Sequence, residues 1–145
     1  MTDSRPLVFD TGVYIAAIRV GVLSPAFRLL QENSPRTYLA SVVSAELLAG
    51  CTNDAARRAV REFTDRAHKV RRVVTPEAAA WERAGKILAR IRRAEPHLRS
   101  KLRTLWNDVL VALSAREIGA RVVTYDTGDF ALIRRYLGFE LEQLS

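Results

Sequence analysis

Apolar and polar positions along the chain fall into short apolar runs separated by longer stretches of helical period. Leu7-Val8-Phe9 is a run that stops at Asp10, as a buried strand would, and a helical stretch follows to about Arg19. Ser24-Pro25 offers an N-cap followed by proline at the first helical position, opening a short helix to about Gln31. Thr37-Tyr38-Leu39-Ala40 predicts a second strand, and Ser41 can cap the helix after it, which Gly50 ends. Asn53 to Ala67 predicts a helix and Val70 to Val74 a third strand. Thr75-Pro76 opens the longest helix, which Pro96 can stop. The rest reads as a helix from about Thr104 to Gly119, a strand from Arg121 to Thr124 and a turn at Thr127-Gly128. A helix to Gly138 and an edge strand near Glu140 to Leu144 close the chain.

Strands that alternate with helices, with few hairpin signals between them, predict a three-layer α/β domain with a largely parallel central sheet flanked by helices. No repeat or linker divides the sequence, so residues 1–145 read as one domain. In such sheets chemistry collects outside the carboxyl ends of the strands.

Four acids fall where that rule looks. Asp10 ends the first strand, and Asp126 lies just beyond Val122-Val123-Thr124, so both should emerge at one rim. Glu46 interrupts the apolar helix Val42-Val43-Ser44-Ala45-Glu46-Leu47-Leu48. Asp108 shares a helix face with Ala112 and Ala115, small residues that permit close packing on the sheet. Each acid also has an ordinary structural reading. Asp10 and Asp126 suit turn or N-cap positions, Glu46 a partly exposed helix position, and Asp108 a first-turn acid favoured by the helix dipole. Carboxylates crowded at one rim repel each other and raise one another's pKa values, a conflict that a hard divalent cation resolves. Such ions can polarise a phosphodiester and stabilise its leaving oxygen.

Charge narrows the partner. Formal net charge is +7 over 145 residues, which favours a polyanion, although an arginine-rich composition alone can produce it. On the longest helix Arg83, Lys86, Arg90 and Arg93 share one face, opposite Trp81, Ala84, Leu88 and Ile91. This stripe suits RNA phosphates or plain solvation. Cys51 is the one cysteine, which excludes a disulfide within the chain. His68 and His97 lack ligand spacing and sit beside no nucleophile. With 48% hydrophobic residues the chain can bury a core, yet no apolar run reaches membrane-spanning length, and a soluble cytoplasmic protein is expected. Asp-Thr-Gly occurs twice, at Asp10 and Asp126, as in aspartic proteases, but that all-β fold conflicts with the helical content.

The ordered pieces resemble the PIN-domain family, and within it the VapC-type toxins of bacterial toxin–antitoxin pairs. Leu7-Val8-Phe9-Asp10-Thr11-Gly12 is similar to the opening strand and first acid, and Ser41-Val42-Val43-Ser44-Ala45-Glu46-Leu47 to the helix bearing the family glutamate. Asn107-Asp108-Val109-Leu110-Val111-Ala112 resembles the third-acid helix, and Val122-Val123-Thr124-Tyr125-Asp126-Thr127-Gly128-Asp129-Phe130 the closing strand and final acid. Gly12 departs from the serine or asparagine common there. The resemblance implies an endoribonuclease dependent on Mg²⁺, with Mn²⁺ as substitute, commonly a homodimer and inhibited by a cognate antitoxin. It places Asp10, Glu46, Asp108 and Asp126 at the metal, with Thr11 and Thr124 in support. Asp126 and Asp129 both compete for the last position; Asp126 is favoured because it follows the strand directly, which leaves Asp129 a supporting or alternate ligand. A non-catalytic nucleic-acid-binding module is the other reading, distinguished by indifference to chelator.

Overall fold

In the computed structural model, residues 3–126 and 128–145 are described. The expected turn at Thr127-Gly128 lies partly outside them, because Thr127 is not described. Five strands form one parallel sheet: β1 (Leu7–Phe9), β2 (Thr37–Ala40), β3 (Val73–Val74), β4 (Arg121–Thr124) and β5 (Glu140–Gln143), in the order β3-β2-β1-β4-β5. Leu7 pairs with Thr37 on one side and Arg121 on the other. The helices are α1 (Thr11–Val20), α2 (Pro25–Glu32), α3 (Ser41–Ala49), α4 (Asp54–Lys69), α5 (Ala78–Ala94), α6 (Leu102–Glu117) and α7 (Asp129–Arg134). This is the expected parallel α/β architecture.

The chain lays down β1, β2 and β3 in one direction across the sheet, then returns to place β4 on the other side of β1. With right-handed crossovers, that reversal sends the later helices to the opposite face. The carboxyl ends of β1 and β4 therefore border the switch point, where a crevice opens for lack of a connecting helix. Leu7, Val8, Phe9, Val122 and Val123 are all buried, as strands covered on both faces require. From one side Val13 and Ala17 of α1 join the core, and Val109, Ala112 and Ala115 of α6 join it as well.

Local chemistry accounts for most element ends. Asp10 caps α1 by accepting the Thr11 amide, Ser24 caps α2 by accepting the Phe27 amide, and Asn53 caps α4 by accepting the Ala56 amide. Gly119, at φ 66, makes the left-handed turn between α6 and β4 that a side chain would disfavour. Three expectations are corrected. Ser41 is the first residue of α3 and Ala40 holds the cap position without a side-chain bond. The third strand is Val73–Val74 rather than Val70 to Val74, because α4 runs on to Lys69 and Arg71 turns left-handed at φ 57. Helix α6 begins at Leu102, so Asp108 stands in its second turn, where dipole stabilisation of a first-turn acid does not apply. Among the described residues no single helix is long and apolar enough to cross a membrane.

Candidate metal centre

Each acid reaches the switch point by a different route. Asp10 leaves β1 as the cap of α1, its amide still bonded to the Val123 carbonyl at 2.9 Å. Its Oδ1 accepts the Thr11 amide at 2.8 Å and its Oδ2 the Thr124 hydroxyl at 2.9 Å. Thr124 is fully buried, and its oxygen also accepts the Asp126 amide at 2.9 Å. One hydroxyl thus ties the acid after β1 to the acid after β4. Asp126 Oδ1 in turn accepts the amides of Gly128 and Asp129, both at 3.1 Å, which starts α7 and delivers Asp129 to the same rim. The capping reading of Asp10 and Asp126 is therefore correct and compatible with a site: each spends one oxygen on the turn.

Asp108, Asp126 and Asp129 each bring a carboxylate oxygen within 4.8 Å of the others. Asp10 and Glu46 fall outside this closest group but near enough for their charges to raise the pKa of Asp108. Thr11 donates its hydroxyl to Glu46 Oε1 at 2.9 Å, which holds the α3 glutamate toward α1. The structure thus gathers all five predicted acids at one edge, with Asp129 in the inner trio rather than behind it.

Electrostatics single out Asp108. Burial pushes its carboxyl up to about 8, and the negative charges of Asp10, Asp129, Asp126 and Glu46 push the same way. No hydrogen bond reaches it among the described residues, whereas Asp10 has two donors. Burial also raises Asp10, partly opposed by the Thr124 and Thr11 bonds. A buried carboxylate without a donor is costly unless a cation meets it. An oxygen of Asp108 and those of Asp126 and Asp129, which converge within 4.8 Å, are the hard donor set that Mg²⁺ or Mn²⁺ prefers, so the residues fit such an ion.

Sequence reasoning missed Lys101. Its Nζ sits 2.9 Å from Asp129 Oδ1, a partial counter-charge for the trio. The available signal was spacing: Lys101 precedes Asp108 by two helical turns, on the same face. Arg83, Lys86, Arg90 and Arg93 are all exposed, as a stripe should be. Arg83, however, borders a cleft with Glu77, Arg116 and Glu117, by the end of α6 that leads into the start of β4. Arg90 lies over the Tyr136 ring at 5.4 Å. The structure does not bring the stripe to the acids.

A parallel α/β sheet whose switch point is lined by five carboxylates defines a class of acid-site domain suited to divalent metal. More narrowly, the chain belongs to the PIN-domain family, whose profile, described as the PIN domain, matches residues 7–136. PIN domains are nucleases generally. Similar solved structures include the VapBC2 complex of Rickettsia felis bound to a fragment of promoter DNA, at TM-score 0.68 and 17% identity over 96% of this chain and 98% of that one. The DNA-bound VapBC complex of Salmonella typhimurium is similar at TM-score 0.68 and 23% identity, again over 96% and 98% of the two chains. VapBC-1 of nontypeable Haemophilus influenzae follows at TM-score 0.63 and 16% identity over 94% and 96%. At these identities the likeness is one of fold. No curated protein matches the sequence significantly.

Proposed function

We propose that this chain is a metal-dependent endoribonuclease of the VapC type, the toxin of a toxin–antitoxin pair. The observation that carries the reading is Asp108: a largely buried carboxyl, with no hydrogen-bond donor among the described residues, raised to about 8 in the midst of four other acids. Such an arrangement is unfavourable for the protein alone and favourable around a divalent cation. Asp108, Asp126 and Asp129 would hold Mg²⁺ or Mn²⁺, with Asp10 and Glu46 beside them. When bound, the ion supplies Lewis acidity toward the phosphodiester and charge stabilisation for the leaving oxygen.

The remaining work falls to the chain's own groups. Thr124 fixes the separation of Asp10 and Asp126 through its two hydrogen bonds, and Thr11 fixes Glu46. Both threonines are positioning residues. Lys101 offsets the charge of Asp129 and is free at its exposed side to meet a phosphate oxygen. The +7 surplus supports an RNA substrate, through attraction that salt should weaken.

An antitoxin and a second copy complete the reading. A cleft of about 440 Å³ between α1, α3 and α4 is walled by Ile15, Ile18, Leu47 and Val60 and opens at Glu46. Its shape suits the apolar face of an inhibitor helix with a basic side chain reaching the acids. Val20, Val22 and Leu23, exposed at the α1–α2 corner, favour self-association into a homodimer. Sequencing the RNA ends produced on expression tests the activity. Defined cleavage sites with the wild type and none with Asp10→Asn are expected; identical ends from both would overturn it.

A further inference from the structure

We infer that the cleft between α3, α5 and α6 is the subsite for one unpaired nucleobase of the RNA, stacked on Trp81. This rests on the nuclease reading and adds a specificity element to it. The cleft measures about 430 Å³ and is bordered by Ser41, Glu46, Thr75, Trp81, Asn107 and Leu110.

Its position ties it to the chemistry. Ser41 directly follows the last residue of β2 and Thr75 the last residue of β3, so the cleft continues the carboxyl edge where the acids stand. Glu46 belongs to both: it borders the cleft and its charge acts on Asp10 and Asp108. Asn107 immediately precedes Asp108 on α6. A base seated here would share this edge with a phosphodiester at the metal centre.

Its surface suits a base rather than a phosphate. No lysine or arginine borders it among the described residues, which disfavours an anion. Trp81 is 51% exposed although it lies on the apolar side of α5, whose Ala84, Leu88 and Ile91 are buried. Leaving an indole half in water forgoes burial energy that packing would have supplied. The ring is nonetheless held firm: Trp106 lies against it with centroids 6.4 Å apart at 37°. A buttressed, exposed indole is a stacking platform, and RNA-binding proteins take unpaired bases on such faces. The Asn107 amide carries both a donor and an acceptor, which can read a base edge. In a duplex the base is stacked and paired, so the subsite selects single-stranded RNA.

Fluorescence separates this inference from the nuclease reading, because Trp81 and Trp106 are the two tryptophans. The Asp10→Asn protein is titrated with a short single-stranded oligoribonucleotide and with the duplex of the same sequence. The single strand should quench the emission saturably and the duplex only weakly. Quenching should persist in Trp106→Phe and vanish in Trp81→Phe. In the otherwise native protein, Trp81→Ala should raise KM for the single strand about tenfold with a smaller change in kcat, and Trp81→Phe should recover most of it. Cleavage with KM unmoved by Trp81→Ala would overturn the subsite while leaving the nuclease intact. Quenching at Trp81 by RNA that is never cleaved would keep the subsite and overturn the activity. The absence of quenching by any RNA, or quenching by the single strand that survives Trp81→Phe, also rejects the subsite.

Discussion

The two edges of the sheet treat charge in opposite ways. At the amino edge arginines are met by acids or by backbone carbonyls. Arg121 bonds Asp3 at 2.8 Å and approaches Glu142 at 3.7 Å, and Arg5 meets Glu140 at 3.3 Å. Arg36 donates to the Asp3 carbonyl, and Arg72 to the carbonyls of Ser34 and Thr37. At the carboxyl edge five carboxylates converge with one lysine bonded among them. Folding alone would favour the first pattern at both ends. The second leaves the largely buried Asp108 with no hydrogen-bond donor among the described residues, an arrangement that a bound cation could relieve.

The sharpest way to break this contrast is to neutralise its carboxyl edge. Asp108→Asn should lower the cleavage rate at least about a hundredfold, the scale of losing one electrostatic contact to a transition state. The same substitution should raise the melting temperature of the metal-free protein at neutral pH, because it removes the cost of holding in the fold a proton that the unfolded chain gives up. A variant that loses both activity and stability would place Asp108 among ordinary structural acids. Asp126→Asn should cost a similar factor in rate with the fold intact, and Asp129→Asn less, since Lys101 already occupies one of its oxygens. Steady-state rates of the two variants check the order, and the reverse order would exchange their roles.

A pH series reads the same edge. A carboxyl at about 8 in the fold and 3.8 when unfolded is more protonated folded than unfolded across that interval. Metal-free stability contributed by Asp108 is therefore greatest at the acid end and declines as pH rises from 3.8 to about 8. Saturating Mn²⁺ should flatten or invert the decline, because the ion binds the ionised form. Denaturant melts from pH 5 to 8 with and without metal check this; the same pH slope in both would remove the link between the acids and the ion.

Smaller effects are expected from the matched edge. Asp3→Asn should leave the cleavage rate unchanged and barely move the urea midpoint, as the loss of an exposed ion pair does. A change in rate would show that the two edges are coupled. At the carboxyl edge itself, Gly12 has open space around the position of a Cβ, so Gly12→Ser should fold normally and gain a few tenths of a kcal/mol by roughly the helix-propensity difference. Urea midpoints resolve both.

What the sequence made legible follows from where signals are local. β1, β2 and β4 stand out because short apolar runs bounded by polar residues have few other uses, and their acids were visible as interruptions. β3 was drawn too long because Arg71 takes a left-handed turn with no glycine to announce it, held by Arg72 bonds to distant carbonyls. Lys101 was hidden in a 3₁₀ segment after Pro96, and its bond to Asp129 spans 28 positions. Trp81 was assigned to the apolar stripe by periodicity, which cannot say where the facing helix stops covering it. Pairings across the sheet's edge, and coverage of a helix face, belong to tertiary structure.

The most direct test of the metal centre is the rate of RNA cleavage as Mn²⁺ is titrated back into chelator-treated protein. The account predicts no cleavage before metal returns, a saturable rise as it does, and no rise in Asp108→Asn. Full activity of the native protein in excess chelator would contradict it.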